Sequence, residues 1–323
     1  MRRLCLAGLV LLAVNPVADC GGGDRAPARQ DATLILDFTP NAVHAGIFSA
    51  VVRRYDEAEG VHLHVRVPGA STDSVKLLLT GRADFAVLDV HDLALARERG
   101  RDLVGVMALV QQPLAAVLAR PGISGPRALA GRRVGVTGLP SDDAVLRSEV
   151  SGAGGDPAKP RRVTIGFGAV PALLAGRVDA ATAFWNVEGV QLRRRRPGFG
   201  VFKVDRFGAP SYPELVLCAT RATVRDSPDL VGAVVRSLVR GYGETLDDPE
   251  SSIQDLLARN PGLDRGLLSA ELDAVSAAFQ GPDDRVGELD AGRLRAWAAW
   301  ERRFGIVRRT PDVTRAFDPR FVP

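Results

Sequence analysis

Cysteine is scarce: Cys5, Cys20 and Cys218 are all that 323 residues contain. They show no CxxC pair, so neither a structural disulfide framework nor a cysteine-rich zinc or redox site is expected. Lysine is nearly absent as well, at Lys76, Lys159 and Lys203. No GxSxG elbow, Walker loop or Rossmann fingerprint occurs, which removes the signatures of serine hydrolases, nucleotide triphosphatases and dinucleotide enzymes. The chain is therefore read as a non-enzyme that needs no cofactor. Apart from one run near the N-terminus there is no long apolar stretch, so no membrane-embedded body is expected. What remains is an ordinary globular composition, 46% hydrophobic and 25% charged, in a length that suits two domains better than one.

The N-terminus carries Met1-Arg2-Arg3, an apolar run over 4–14, then Val17-Ala18-Asp19-Cys20 and three glycines. A basic start and a short apolar run predict a signal peptide over 1–19. Cys20 resembles a lipoprotein processing site, with Asp19 departing from the usual small residue. The expected product is lipid-anchored at Cys20, extracytoplasmic, and tethered by a flexible segment over 20–32. Losing the leader lowers the formal charge from +4 to +3. The basic residues are nearly all arginine and scattered among acids, so no nucleic-acid track is expected. His62 and His64 share a strand face and could chelate a metal, but no other ligand clusters with them in sequence, and they are read as surface residues.

From Thr33 onward, short apolar runs alternate with amphipathic stretches, the pattern of strands and crossover helices. Strands are expected at 34–38, 63–67, 84–88, 103–109 and 115–119, then 133–136, 163–165, 180–184 and 200–204. The stretch from Leu78 to Ala86, LLTGRADFA, echoes that from Leu173 to Ala181, LLAGRVDAA. Each copy reads as a helix end closed by glycine, with a strand after the aspartate. Two related α/β lobes are thereby suggested. Apolar residues at three-and-four spacing over 230–246, 253–259, 268–279 and 294–304 predict a helical tail.

Residues 36–47 read LDFTPNAVHAGI. This resembles the opening motif of the thiamine-pyrimidine type of ABC transporter substrate-binding protein (hydroxymethylpyrimidine or formylaminopyrimidine), within the sulfonate, nitrate and thiamine-precursor binding superfamily. Phe38 stands where that family has tryptophan. Residues 81–89 resemble its GxADF segment, 129–141 its LxGKxVGxPG segment, and 163–188 a later stretch ending in glutamate. The resemblance implies a type II periplasmic binding protein fold, two α/β lobes joined by two crossing segments. Lobe one is expected over 33–119 plus 222–323 and lobe two over 120–221, with crossings near 119–125 and 212–221. It further implies a monomer that captures a small heterocycle by lobe closure and passes it to ABC permease subunits. Riboflavin, a sulfonate or another small solute is the alternative cargo. Related pyrimidine synthases share fold and motif, but the cysteine-rich segment they use is missing here.

Ligands of open α/β sheets sit beyond the carboxyl ends of strands. That rule selects Asp37, Phe38, Asn41, His44 and Asp89 in lobe one, and Ser141, Trp185 and Glu188 in lobe two. Glu188 and Asp37 are expected to accept from ligand amines, Phe38 and Trp185 to stack, and Asn41 and His44 to hydrogen-bond the ring. Second readings stay open: Asp37 as a helix cap, Trp185 as a core aromatic, Glu188 as a surface residue. Asp142 and Asp143, in the first turn after Ser141, disfavour an anionic ligand.

Overall fold

The structure, a computed structural model, describes residues 30–69 and 73–323. The expected signal peptide, Cys20 and most of the tether lie outside the described residues. Residues 30–32 belong to the first strand, so ordered structure begins earlier than the expected tether allows. Among the described residues no helix is long and apolar enough to cross a membrane.

Two five-stranded sheets form the frame. The first contains β1 (Gln30–Ile35), β2 (Val61–Arg66), β3 (Phe85–Asp89), β4 (Leu103–Val110) and β10 (Leu215–Thr220), in the order β2-β1-β3-β10-β4. The second contains β5 (Ala115–Ala119), β6 (Arg133–Val136), β7 (Arg161–Thr164), β8 (Ala180–Phe184) and β9 (Gly200–Lys203), in the order β7-β6-β8-β5-β9. The pairing is the same in both: two parallel ladders flank the second strand in the order, and the remaining two ladders are antiparallel.

The sequence echo has a structural counterpart. Gly81 and Gly176 both take left-handed backbone, at φ 67° and 69°, where a side chain would be strained. Asp84 Oδ2 accepts from Thr33 N at 2.8 Å, and Asp179 Oδ2 accepts from Arg133 N at 2.9 Å. Each aspartate thus pins the start of its strand to the neighbouring parallel strand.

The lobe boundaries need correction. Ala115–Ala119, expected in lobe one, pairs with β8 and β9 of the second sheet. Leu215–Thr220, expected in the return crossing, is a strand of the first sheet. The crossings are therefore residues 111–114 and 207–214. An all-apolar strand carries no mark of which sheet it joins, so a four-residue connection between β4 and β5 reads as a hairpin although it passes between lobes.

The helical tail comprises Pro228–Asp247, Pro249–Arg259, Arg265–Val275 and Ala291–Arg303. Asp248, Asp264 and Asp290 cap the last three by accepting backbone N–H bonds, as helix starts require. The first tail helix crosses the helix Ala45–Val52 at Gly46, where a Cβ would lie 2.4 Å from the Tyr242 ring. Only glycine admits that approach. The tail also fixes both crossings: Arg293 donates to the Gln111 carbonyl of one and to Ser211 Oγ of the other.

Candidate functional site

The carboxyl ends of the two sheets face one another across a cleft of about 1200 Å³, counted to its open mouth. Asp37, Phe38, Asn41, Asp89, Ser141 and Glu188 all line it. Asp37 and Phe38 reach it because β1 ends at Ile35, earlier than expected, leaving both on the loop beyond the strand.

His44 does not line the cleft. It is 0% exposed, and both ring nitrogens are engaged. Nδ1 accepts from Asn41 N at 3.2 Å and Nε2 lies 2.8 Å from Asp37 Oδ1. Since Nδ1 accepts, the proton sits on Nε2 and is donated to Asp37. The expectation that His44 touches ligand is thus corrected: it orients Asp37 instead. Asn41 completes the same turn, its Oδ1 accepting from Val43 N and its Nδ2 donating to the Thr39 carbonyl, each at 3.0 Å.

Trp185 is corrected likewise. It is 4% exposed and absent from the cleft lining. Its indole Nε1 donates to the Pro113 carbonyl at 2.9 Å, its backbone N–H to the Leu114 carbonyl at 3.0 Å, and Lys203 Nζ stands 3.4 Å from its ring centroid. Of its open readings, the core aromatic is the one the packing supports, holding a crossing segment to lobe two.

The aromatic that lobe two does present is Phe167, 55% exposed, on the loop after β7. Its ring lies 6.0 Å from that of Phe38, across the cleft. Sequence reasoning ended a strand at residue 165 but did not choose the phenylalanine two residues beyond it. Glu188 opens the helix Glu188–Arg195 and accepts from Phe184 N at 3.2 Å through Oε2. Burial raises its carboxyl above the usual range, helped by nearby Asp142.

Beside Asp89 and His91, the cleft floor holds Glu214, Asp92 and Asn186, which sequence reasoning did not select. Glu214, just before β10, is 0% exposed; its Oε2 accepts from Leu114 N at 2.5 Å, so it ties the two crossings together. Burial, reinforced by Asp89, lifts it to about 8. Burial and Asp89 also bring Asp92 to about 7. Asp89 caps the helix Val90–Glu98 through the His91 N–H at 2.7 Å, and burial raises it too. Burial opposes charge on His91, yet Glu301, Asp89 and Glu214 outweigh it and raise the imidazole to about 10. His91 Nδ1 bonds Glu301, while Nε2 meets the Tyr212 hydroxyl at 3.3 Å and Glu214 Oε1 at 3.7 Å. Asn186, 0% exposed, lines the cleft with neither amide atom hydrogen-bonded among the described residues. The one available sequence signal was charge at unusual places: an acid directly before the apolar run 215–219, and another in the first turn after β3.

Contacts between the lobes flank this cleft. At one side Gln191 donates to Glu271, whose carboxyl burial lifts to about 7. At another, Trp300 Nε1 donates to Ser148 Oγ at 2.9 Å and Arg147 donates to the Phe304 carbonyl. The exposed His62 and His64 stand with Asp31 as a surface cluster, His64 Nε2 lying 3.0 Å from Asp31.

Two lobes of identical topology, two crossings and a cleft at the strand ends define the type II periplasmic binding protein fold. The periplasmic aliphatic sulphonate binding protein SsuA of Escherichia coli superposes with a TM-score of 0.73 at 16% identity, covering 91% of this chain and 93% of that one. The chain belongs to the NMT1/THI5-like family, which matches residues 41–252. It is 27% identical over 300 residues to a formylaminopyrimidine-binding protein of Halalkalibacterium halodurans, covering 90% of this chain and 91% of the relative. It is 24% identical over 307 residues to a 4-amino-5-hydroxymethyl-2-methylpyrimidine phosphate synthase of Legionella pneumophila, covering 91% and 93%.

Proposed function

We propose that this protein is the extracytoplasmic solute-binding component of an ABC importer, and that it captures an aminopyrimidine precursor of thiamine between its lobes. The observation that carries the reading is the cleft itself. Flat rings from both lobes, Phe38 and Phe167, stand at its mouth, with the carboxyls of Asp37 and Glu188 alongside. An aminopyrimidine offers a face to the rings and exocyclic N–H donors to the carboxyls. Similarity to a formylaminopyrimidine-binding protein supports the same class of ligand. The lobes would close about residues 111–114 and 207–214, and the permease would recognise the closed form. Lipidation at Cys20 and a monomeric state complete the proposal.

An enzymatic reading, as a pyrimidine phosphate synthase, has relatives in its favour. The cleft speaks against it, because no lysine or cysteine is among its lining residues. Cys218 is buried in β10, and burial pushes its thiol far up, away from nucleophilic use.

Thermal unfolding of the mature protein tests the proposal. Formylaminopyrimidine or hydroxymethylpyrimidine at a concentration about 100 times Kd should add about 2.7 kcal/mol of stability, several degrees in Tm. A shift produced by riboflavin or taurine and by neither pyrimidine would reject it.

A further inference from the structure

The strand face that carries His62 and His64 gains a third ligand only in the fold. Successive side chains of a strand point to opposite faces, so residues two apart stand side by side. From Val61 to His64 the strand β2 runs buried, exposed, buried, exposed, which puts both imidazoles on the solvent face. Parallel pairing of β1 with β2 sets Asp31 opposite His62, and Asp31 is exposed as well. One donor atom from each of the three residues lies within 4.8 Å of the other two. The closest pair, His64 Nε2 and Asp31 Oδ1, is 3.0 Å apart. Two ligands held about 2.0–2.2 Å from one tetrahedral ion stand about 3.3 Å from each other, so this pair already has nearly the spacing that a shared ion imposes. The two rings meet edge to face, with centroids 4.5 Å apart.

Four histidines are present in the chain. His44 and His91 are buried, and protein groups engage both ring nitrogens of each. His62 and His64 are open to solvent, so an ion reaches them without any opening of the fold. Arg66, the next residue on their face of β2, is engaged by the Arg82 carbonyl at 3.3 Å.

We propose that Asp31, His62 and His64 form a surface site for a borderline divalent cation, zinc above all, at the end of the first sheet opposite the solute cleft. Two imidazoles and one carboxylate select zinc, copper(II) or nickel over magnesium and calcium, which take oxygen ligands. Each imidazole ligates through a nitrogen lone pair, so the proton that now links His64 to Asp31 passes to solvent as the ion takes its place. Three protein ligands leave the fourth tetrahedral position to water. The ion ties the edge strand β2 to β1, and such a site stands whatever solute the cleft takes.

The test is a titration of the tag-free mature protein with zinc chloride, followed by calorimetry and by the imidazole NMR signals of its four histidines. The protein carries Cys20→Ser so that no thiol competes, Cys218 being buried. One equivalent of zinc should bind and shift the signals of His62 and His64 alone, while magnesium moves none. His62→Ala and His64→Ala should each weaken zinc binding by at least about ten-fold. Absence of binding at millimolar zinc overturns the proposal. So does a zinc-induced shift at His91, which places the ion in the cleft with Asp89 and Glu214. A loss in only one of the two histidine variants marks a lone surface imidazole and overturns it too. The NMR titration of the parent protein decides even where a variant does not fold.

Discussion

In the first lobe, the carboxylate at the cleft mouth is locked before any ligand arrives: Asp37 is held by buried His44, which is itself held by the Asn41 turn. In the second lobe the corresponding groups are freer. Phe167 projects from its loop more than half exposed, and Glu188 is restrained by backbone N–H groups alone, those of Phe184 and of its own residue. Yet the two sheets have the same strand order, and Asp84 and Asp179 perform the same pinning role in each. Repetition fixes where the strand ends meet, while the loops beyond those ends, which are not repeated, supply the chemistry. The first lobe offers a prearranged edge of the site, and the second an edge able to adjust on closure.

The contrast can be broken most severely at the glycines that set the packing of each lobe. In lobe two, a Cβ on Gly152 would lie 1.9 Å from the Phe207 carbonyl oxygen, a backbone atom. In lobe one, a Cβ on Gly46 meets the Tyr242 ring, which is fixed by its hydrogen bond to the Val43 carbonyl at 2.7 Å and by edge contact with Phe279. Gly152→Ala and Gly46→Ala should each destabilise by about 3 kcal/mol in denaturant unfolding, the upper end of overpacking costs. Gly135→Ala should cost less, about 1 kcal/mol, because the atom it meets most closely is the flexible terminal methyl of Ile165 at 2.4 Å, with Ala181 Cβ further off at 3.3 Å. Equal effects at all three sites would contradict this account of the packing.

An effect smaller than those at Gly152 and Gly46, and of opposite sign, is expected at Glu149. This lobe-two residue is fully buried, and its carboxyl has the Val117 backbone as its one hydrogen-bonding neighbour among the described residues. Burial raises it well above its unfolded value of 4.5, and Asp205 adds to the rise. The folded state therefore holds the proton more tightly than the unfolded state, so stability is greatest below pH 4.5 and falls as pH rises toward the folded pKa. Glu149→Gln should stabilise the protein at neutral pH by about 1–2 kcal/mol, with the gain vanishing in acid. A gain independent of pH, or a loss at neutral pH, would sink this reading.

Much of this was legible in the sequence, because periodicity and turn residues report local structure directly. The echo around Gly81 and Gly176 marked the repeated unit, and three-and-four spacing marked the tail. Sheet membership was not legible for Ala115–Ala119 or Leu215–Thr220, since strands buried on both faces look alike wherever they pair. At the site, the strand-end rule brought six of eight chosen residues into one cleft. It failed at His44 and Trp185 because sequence position does not reveal whether a polar ring atom is consumed by a neighbouring backbone group. For the same reason it passed over Asn186, whose amide atoms are both without a hydrogen bond among the described residues, and Glu214, which ties the two crossings together.

The central claim is that both lobes contribute to a single binding site for a flat solute. A double-mutant cycle on Phe38→Ala and Phe167→Ala, read by calorimetric titration with the preferred pyrimidine, tests it most directly. Each substitution should weaken binding by about 1 kcal/mol, and the two losses should be non-additive because the rings grip the same ligand. Unchanged affinity in the Phe167→Ala protein, with loss confined to Phe38→Ala, would place the solute on one lobe alone and contradict the account.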